Sequence, residues 1–292
     1  MRILIGGASG LVGRALTSRL LSSGHTVTRL VRGSGSGEGT HVWDAKTPPV
    51  EAVAASDAVI NLSGASIGDQ RWSTSYRAEI LNSRVDATSA LAKAIAQAGH
   101  RPTFISMSAV GCYGHHATNP HSETSPLGDS FLAGVCQQWE AAADPAREAG
   151  ARVVHPRLSM VLSSKGGALD RLLLLYRLGL GGTLGGGKQR WSWITLDDAA
   201  KGLEFLIDSN AEGAVNLVAP QVITNAQFNR ALAKAVRRPA VIPVPAFGLK
   251  LALGGFADEL LADQPVVPTR LAELGFQWND PEIEAALQRL CS

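Results

Sequence analysis

Short apolar runs alternate with longer amphipathic stretches through the first two-thirds of the chain. The short runs are long enough only for buried strands, and they lie at residues 2–5, 26–31, 57–62, 103–108, 153–158 and 214–217. The longest helical pattern runs from residue 73 to 99, with an apolar stripe of Ile80, Leu81, Val85, Leu91, Ala92 and Ile95. Strands that alternate with helices predict an α/β fold, a doubly wound parallel sheet of the Rossmann type.

Helical patterns dominate the last third of the chain. One helix opens at residues 195–198, where Asp197 or Asp198 is expected to cap it. A second covers residues 225–236, and residues 243–292 form a small helical tail. These patterns predict a small, mainly helical C-terminal lobe on the substrate side of the sheet.

The two kinds of pattern divide the chain into two predicted domains. Residues 1–158 and 195–218 form a Rossmann-type dinucleotide-binding domain. Residues 159–194 and 219–292 form a substrate-side lobe over the strand ends, where open α/β sheets bind their ligands.

Composition and charge limit the classes of binding partner that the chain is expected to have. The chain has 292 residues, of which 45% are hydrophobic, and its net charge of +2 is too small to imply nucleic acid or a membrane as a partner. The expected partner is a small-molecule substrate. No apolar run is long enough to span a bilayer, and a strand starting at residue 2 leaves no room for a signal peptide. The scattered Cys112, Cys136 and Cys291 form neither a disulfide framework nor a zinc pattern, which favours a reducing, cytoplasmic location.

Three histidines, His115, His116 and His121, lie near Cys112 in one predicted loop. A metal site needs ligands at a defined spacing on a fixed element, whereas this segment is rich in turn-forming residues. We therefore predict solvated loop histidines and no metal site.

Three glycines lie between the first strand and the first helix, with the spacing Gly7-x-x-Gly10-x-x-Gly13. Glycine permits positive φ and lets a ligand approach the backbone, and a helix N-terminus offers unpaired N–H groups to a pyrophosphate. The alternative is an ordinary tight turn. The pattern predicts a dinucleotide site with contacts from Gly7, Ser9, Gly10, Leu11, Val12 and Gly13.

The end of the second strand indicates which dinucleotide binds. Arg32 follows Val31 there, and no acidic residue is present. An acid at this place binds the ribose 2′-hydroxyl of NAD, whereas an arginine accommodates the 2′-phosphate of NADP. A solvated arginine at a strand end is the alternative. Val31 and Arg32 predict NADP (NADPH) as the cofactor.

The GxxGxxG loop resembles the extended short-chain dehydrogenase/reductase superfamily. Residues 179–194 (GLGGTLGGGKQRWSWI) and the tail (LLADQPVVPTRLAELGFQWNDPEIEAAL) resemble one family within it. This is the epimerase-like family typified by human SDR family 39U member 1 and its bacterial homologues, whose epimerase/dehydratase part precedes a C-terminal domain of unknown function. The resemblance covers nearly the whole chain and implies a Rossmann-type fold.

Further cofactor contacts are implied by this resemblance. Asp44 matches an acid that contacts the adenine, although it could instead cap its own loop. The turn Asn61-Leu62-Ser63-Gly64 is similar to an N-x-A-G turn against the cofactor ribose, with Ser63 in place of alanine. Leu62, Ser63 and Gly64 are therefore expected at the cofactor.

On the long helix, the stretch from Glu79 to Arg84 resembles an E-x-x-x-S-R segment close to the cofactor phosphates. A permanently charged guanidinium can fork onto phosphate oxygens, and Glu79 could orient it. The alternative is that both are solvated helix charges. Pro156 and Arg157 resemble the superfamily segment whose backbone faces the nicotinamide amide.

The strand that carries Ser106 and Ser108, followed by a turn at Tyr113, resembles the catalytic-serine strand of the superfamily. Ser106 is expected beside the cofactor, and Ser108 matches the serine that hydrogen-bonds the reacting substrate oxygen. A serine at a strand end can also be only a turn former.

The resemblance breaks on the following helix. The superfamily uses a Tyr-x-x-x-Lys pair for proton transfer. If Glu140 matches the family's glutamate, Leu132 and Cys136 stand at the tyrosine and lysine positions, and neither can do that chemistry. Tyr113 is then the nearby candidate proton donor, without a lysine partner.

Residues 182–188 imitate the phosphate-binding GxxxxGK pattern. Gln189 stands where Ser or Thr must hold magnesium, and no clear strand leads in, which argues against a P-loop. We predict a mobile substrate-side loop instead, with Lys188, Arg190 and Trp191 as lining residues, although Trp191 could also be a core or domain-interface residue. Trp193 is expected in the core or at a domain interface.

Two functions of different class fit these residues. The first is an NADP(H)-dependent oxidoreductase or epimerase-like enzyme for a small hydroxyl or carbonyl substrate, with Ser108 at the reacting oxygen and Tyr113 as proton donor. The second is a non-catalytic NADP(H)-binding sensor or regulatory protein, favoured by the missing Tyr-Lys pair. The substrate, the reaction direction and the choice between monomer and homodimer stay open.

Overall fold

The computed structural model describes residues 1–33 and 37–292, so residues 34–36 lie outside the described part. The strands are β1 Arg2–Gly6, β2 Thr26–Val31, β3 Thr40–Val42, β4 Ala58–Asn61, β5 Thr103–Ser106, β6 Ser108–Ala109, β7 Val153–Leu158, β8 Met160–Leu162, β9 Arg190–Trp191, β10 Trp193–Thr195, β11 Gly213–Leu217 and β12 Ile223–Thr224. The helices are α1 Leu11–Ser22, α2 Val50–Ala54, α3 Thr74–Gln97, α4 Phe131–Ala141, α5 Asp144–Glu148, α6 Gly167–Arg177, α7 Leu196–Asp208, α8 Asn225–Val236, α9 Ala246–Leu253, α10 Phe256–Leu261, α11 Thr269–Glu273 and α12 Ile283–Cys291, with a 3-10 turn at Val110–Tyr113.

The main sheet has the strand order β11-β7-β5-β4-β1-β2-β3, and β6 pairs with β7. Its strand pairs are parallel, which confirms the predicted doubly wound α/β fold. The strand order reverses on either side of β1, between β1–β2 and β1–β4. The carboxyl ends of strands at such a switch point form the crevice in which α/β proteins bind ligands.

Helices cover both faces of this sheet. Because successive side chains of a strand point to opposite faces, Ile3 and Ile5 pack into one apolar cluster with Leu16 of α1 and Leu203 of α7. Leu4 packs on the other face, with Leu91 of α3. Because β1 is buried on both faces, its sequence is a continuous apolar run and does not alternate with polar residues. Within the described ranges, no helix has the length and apolarity needed to cross a bilayer.

The start of α7 corrects one sequence prediction. Thr195, not an aspartate, caps this helix, because its side chain accepts a hydrogen bond from the Asp198 N–H. Asp198 is fully buried and accepts from the backbone N–H groups of Asn279 and Asp280, each at 2.9 Å. Its carboxylate therefore ties the C-terminal segment to the sheet domain.

Side chains from outside the sheet form hydrogen bonds with the backbone at its edge strand, β11. The Arg270 guanidinium donates to the Glu212 and Ala214 carbonyls at 2.6 and 2.7 Å. A Glu123 carboxylate oxygen accepts from the Asn216 N–H at 2.9 Å. Two carbonyls and one N–H at this edge are thus paired by side chains from the C-terminal lobe and from the loop before α4.

Candidate active site

The three glycines of the β1–α1 loop serve different purposes. Gly7 has a φ of +77°, and a Cβ on it would lie 2.6 Å from the Leu62 carbonyl carbon. A Cβ on Gly13 would lie 2.3 Å from the Gly7 oxygen. Both glycines are required by the fold itself. At exposed Gly10, a Cβ would meet only the Gly7 oxygen at 3.4 Å, an ordinary contact, so the protein's own packing leaves space there for a ligand.

The N-terminus of α1 is open to an anion. Its N-cap residue is Gly10, which has no side chain that could cap the helix. The first turn carries no acidic residue. The N–H groups of Leu11, Val12 and Gly13 have no i−4 partner within the helix. Together with the positive dipole end they suit a pyrophosphate, so these residues fit the predicted dinucleotide.

Arg32 is exposed at the end of β2, beside half-buried Val31. Its guanidinium makes no hydrogen bond or ion pair with any residue that the structure describes, so it is free to meet a phosphate. Asp44 is committed to its own loop: its carboxylate accepts from the Lys46 and Thr47 N–H groups at 2.8 and 2.7 Å. The Thr47 and Lys46 backbone hydrogen bonds lower the pKa of Asp44 to about 2. The loop-capping alternative is thus observed.

The turn after β4 lies against the glycine loop. Its Leu62 N–H donates to the Gly6 oxygen at 2.8 Å, and the Ser63 N–H donates to the Asn61 side chain at 3.1 Å. A Cβ on Gly64 would lie 3.1 Å from the Arg84 guanidinium carbon. The turn, the loop and Arg84 therefore meet at the switch point, and their contacts with a cofactor stay a prediction.

Arg84 is oriented differently from the prediction. Glu79 is exposed and makes no ion pair among the residues described. The Arg84 guanidinium instead donates to the Ile80 carbonyl at 2.8 Å and lies over the Trp139 ring, 5.1 Å from its centroid. Burial lowers the pKa of Arg84, but an arginine stays protonated at neutral pH.

Ser108 belongs to a buried ionic network. Its hydroxyl donates to a Glu140 carboxylate oxygen at 2.6 Å. Arg157 donates to both oxygens of the same carboxylate, at 2.9 and 3.0 Å. Ser108 and Arg157 are 2% and 5% exposed, so the ion pair is shielded from water. Pro156 on β7 and Ser106 on the neighbouring strand β5 are also buried.

Tyr113 extends this network to the edge of the sheet. Its hydroxyl donates to the Asn216 side-chain oxygen at 2.7 Å and accepts from Arg157 at 3.0 Å. The His121 ring stacks on it, with ring centroids 4.9 Å apart. Burial raises the pKa of Tyr113 to about 12, despite the nearby Arg157 charge.

The two residues at the expected Tyr and Lys positions are packing residues. Leu132 and Cys136 are both buried on α4. The Cys136 thiol lies 3.6 Å from the Ala109 carbonyl, and burial raises its pKa to about 11. A buried neutral thiol supplies no positive charge, so the usual proton-transfer pair has no substitute at these positions.

The loop with three histidines is not simply solvated. His116 is exposed, but His115 pairs with Glu259 at 2.7 Å in the wall of a cavity of about 310 Å³. His121 is half-buried against Tyr113. The two partly buried histidines thus pack against the C-terminal lobe and the 3-10 turn, which corrects that prediction.

The glycine-rich loop near residue 185 is hydrogen-bonded to the C-terminal segment. Val244 donates to the Thr183 carbonyl and Gly185 donates to the Val244 carbonyl, both at 2.8 Å. Trp193 is fully buried, as expected, and Arg190 pairs with Asp263 at 2.6 Å. The backbone of this loop thus pairs with the C-terminal segment, and its mobility stays a prediction. Lys188 stays exposed, and Trp191 is half-buried.

Sequence reasoning missed the residues that complete the network. The sequence analysis used Glu140 only to locate the Tyr and Lys positions on the helix, and it assigned no role to Asn216. One signal was available for Glu140, because a lone acid on an apolar helix next to Trp139 must have a buried partner.

These features define a nucleotide-binding protein of the Rossmann type. The chain belongs to the NAD dependent epimerase/dehydratase family, whose model matches residues 3–218. Residues 244–290 match a second family, a domain of unknown function (DUF1731).

Full-length relatives agree with this assignment. The chain is 40% identical to the epimerase family protein MT2273 of Mycobacterium tuberculosis over 98% of this chain and 96% of that protein. It is 37% identical to human epimerase family protein SDR39U1, over 99% of both chains. A crystal structure of the human protein (isoform 2) with NADPH superposes with a TM-score of 0.90 at 36% identity, covering 100% of this chain and 99% of that one. That relative thus holds the cofactor type that the sequence predicts here.

Another solved structure is also similar. The nucleoside-diphosphate sugar epimerase of Corynebacterium glutamicum matches with a TM-score of 0.83 and 33% identity, over 100% of this chain and 58% of that one. UDP-glucose 4-epimerase of Thermotoga maritima, at 18% identity and a TM-score of 0.77, shares the fold.

Proposed function

We propose that this protein binds NADP(H) in the crevice at the β1–β4 switch point and acts as an oxidoreductase or epimerase-like enzyme on a small hydroxyl or carbonyl compound. The observation that carries the proposal is the open space at Gly10, beside an uncapped helix N-terminus. The unpaired Arg32 supports NADP over NAD, because a free guanidinium can pair with a 2′-phosphate. The human relative that was solved with NADPH adds support.

In this proposal the nicotinamide supplies or accepts the hydride, and the chain's own residues bind and orient. Leu11, Val12 and Gly13 hold the pyrophosphate through their N–H groups. Arg84 adds a positive charge at the turn after β4. The three free cysteines, Cys112, Cys136 and Cys291, support a reducing, cytoplasmic setting.

At the reacting centre the hydrogen-bond directions limit the roles of two residues. Because the Ser108 proton is donated to Glu140, Ser108 Oγ can serve a substrate hydroxyl only as an acceptor. The Tyr113 hydroxyl is occupied on both sides, and its pKa near 12 makes it a poor acid at neutral pH. We therefore propose that Ser108 orients the substrate and that Tyr113 positions Arg157.

Arg32→Ala is expected to weaken NADPH binding by about tenfold to a hundredfold, because a hydrogen bond to a charged group contributes about 1.5–3 kcal/mol. NADH binding is expected to stay unchanged, since NADH lacks the 2′-phosphate. Titrations followed by nicotinamide fluorescence measure both. Arg29→Ala is the matched control, because it removes an exposed arginine from β2, the strand that ends just before Arg32. An equal loss for NADPH and NADH would refute the 2′-phosphate role.

A measurement of turnover distinguishes an enzyme from a cofactor sensor. The sensor is the alternative that buried Leu132 and Cys136 favour, because they replace the Tyr-Lys pair. We expect NADP⁺ reduction with a member of a panel of hydroxyl compounds, because a substrate hydroxyl can donate to Ser108 Oγ, and Ser108→Ala is expected to lower kcat by about a hundredfold while NADPH affinity is kept. This variant leaves the Glu140–Arg157 pair intact. Tight NADPH binding without turnover across the panel would assign the chain to the sensor class.

A further inference from the structure

The cavity of about 310 Å³ beside His115 has no role in the proposed reaction. Its walls come from separate parts of the chain and include Trp72 and Arg77 at the start of α3, Phe131 at the start of α4, and Gly255 just before α10. Small-molecule sites have volumes of about 300–1,000 Å³ and are commonly found between helices or domains. The volume and position of this cavity are therefore those of a ligand site.

Two aromatic rings give the cavity an apolar wall. The Trp72 Nε1–H donates to the Ile67 carbonyl at 2.8 Å, and the Trp72 ring packs edge-on against that of Phe131, with ring centroids 5.2 Å apart. A Cβ on Gly255 would lie 3.2 Å from the Trp72 ring, so the backbone at the start of α10 lies close against it. Because the protein's own contacts hold these rings, an apolar group of a ligand can pack on them without rearrangement.

Two carboxylates in the wall already have partners within the chain. The Glu259 carboxylate pairs with the His115 ring at 2.7 Å, and Asp258 pairs with Lys250 at 3.0 Å. The charged groups of a ligand are therefore expected to meet the remaining wall residues.

Two wall residues that are fully charged at neutral pH have no ionic partner in the part of the chain that the structure describes. The Arg77 guanidinium lies 5.6 and 4.9 Å from the Trp72 and Phe131 ring centroids, and its N–H groups make no hydrogen bond with a described residue. The exposed Asp129 carboxylate accepts no hydrogen bond from these residues either. Arg77 and Asp129 also make no ion pair with each other, although both line the cavity. One positive and one negative group thus face the same cavity.

We infer that this cavity binds a small zwitterion, an α-amino acid with an apolar side chain. The carboxylate of the ligand pairs with Arg77, whose planar guanidinium matches it, and the ammonium group donates to Asp129. The apolar side chain packs on the Trp72 and Phe131 rings. Such a ligand leaves neither charge of the cavity unmatched. The inference does not depend on the proposed cofactor or reaction, which concern the switch-point crevice and Ser108.

Isothermal titration calorimetry without cofactor tests it, with phenylalanine as the probe. Saturable binding of phenylalanine is expected. Three analogues identify the groups that are recognised: 3-phenylpropionate lacks the ammonium group, 2-phenylethylamine lacks the carboxylate, and 3-phenyllactate has a hydroxyl group in place of the ammonium group. Each analogue is expected to bind at least about tenfold more weakly, because it loses a hydrogen bond between charged groups.

Two variants assign the charges separately. Arg77→Gln is expected to weaken phenylalanine binding by about tenfold to a hundredfold and to leave 2-phenylethylamine binding unchanged, because this amine has no carboxylate. Asp129→Asn should weaken phenylalanine binding similarly and leave 3-phenylpropionate binding unchanged. The analogue that still binds shows that each variant is folded. Lys93→Gln is the matched control, since it removes an exposed charge from α3 outside the cavity.

Three results would each overturn the inference. The first is the absence of saturable phenylalanine binding to the unchanged protein, and the second is unaltered phenylalanine binding in either variant. The third is 3-phenyllactate binding as tight as that of phenylalanine, which would assign the cavity to hydroxy acids instead. NADPH titration of the same samples reports on the cofactor site separately, so failure of one proposal leaves the other testable.

Discussion

Glu140→Gln is expected to lower the free energy of unfolding by about 3–5 kcal/mol, the cost of leaving one member of a buried ion pair without its partner. The Arg157 side chain is 6% exposed and both carboxylate oxygens of Glu140 accept from it. A glutamine offers one acceptor and places an N–H₂ against a guanidinium donor. Urea unfolding at pH 7 measures the loss.

An exposed ion pair provides the control. Glu284→Gln removes the partner of Lys234, in a pair whose side chains are 63% and 64% exposed. Surface pairs contribute about 0–1 kcal/mol, so this variant should unfold almost as the unchanged protein does. Equal stability of the two variants would contradict the claim that Glu140→Gln leaves a buried Arg157 charge without its partner.

The same pair predicts a pH dependence. Burial by itself raises the pKa of Glu140, but the hydrogen bonds and charge of Arg157 outweigh it, and the pKa lies below its ordinary value of 4.5. A carboxylate with a lowered folded-state pKa stabilises the protein above its unfolded pKa, and this contribution is lost as the pH falls through the folded pKa. The stability difference between the unchanged protein and Glu140→Gln should therefore shrink below pH 4.5.

Gly10→Val is expected to abolish measurable NADPH binding, a loss of at least about a hundredfold, because the pyrophosphate must approach the backbone where the valine side chain would project. The fold should tolerate it, since Gly10 has a φ of −69° and a Cβ there meets only one atom, at 3.4 Å. Fluorescence titration and a thermal melt measure the two effects.

Gly99→Val is its control, because a Cβ on exposed Gly99 meets nothing within 4 Å and the residue lies far along the chain from the glycine loop. It should bind NADPH normally. Retained binding in Gly10→Val would place the cofactor elsewhere, whereas a large fall in melting temperature would show that Gly10 is needed for folding.

Local signals in the sequence predicted much of this fold. The bounds of β2, β7 and α8 agree with the predicted segments, because periodicity and turn residues act over a few neighbours. The three-glycine loop between β1 and α1 was predicted for the same reason, because its strand, turn and helix follow one another directly in the sequence. Asp44 had two open roles, and the loop-capping one is formed by hydrogen bonds from Lys46 and Thr47, only two and three residues away, while the adenine contact stays a prediction.

The network around Ser108 could not be predicted in this way. Glu140 and Arg157 are on α4 and β7, and Tyr113 reaches Asn216 on β11, 103 residues further along the chain. Such contacts depend on which strands lie side by side, and strand order is set by packing of the whole sheet. The pairing of His115 with Glu259, 144 residues apart, was missed for the same reason.

The side chains on the outer edge of β11 have a consequence for association between chains. An uncovered edge strand offers unpaired N–H and C=O groups on which a strand of another molecule can add, which is a common start of aggregation. Arg270 and Glu123 occupy those groups, and Arg270 comes from the C-terminal family segment. That segment therefore protects the sheet against strand addition, and the chain lacks this protection until the segment has docked.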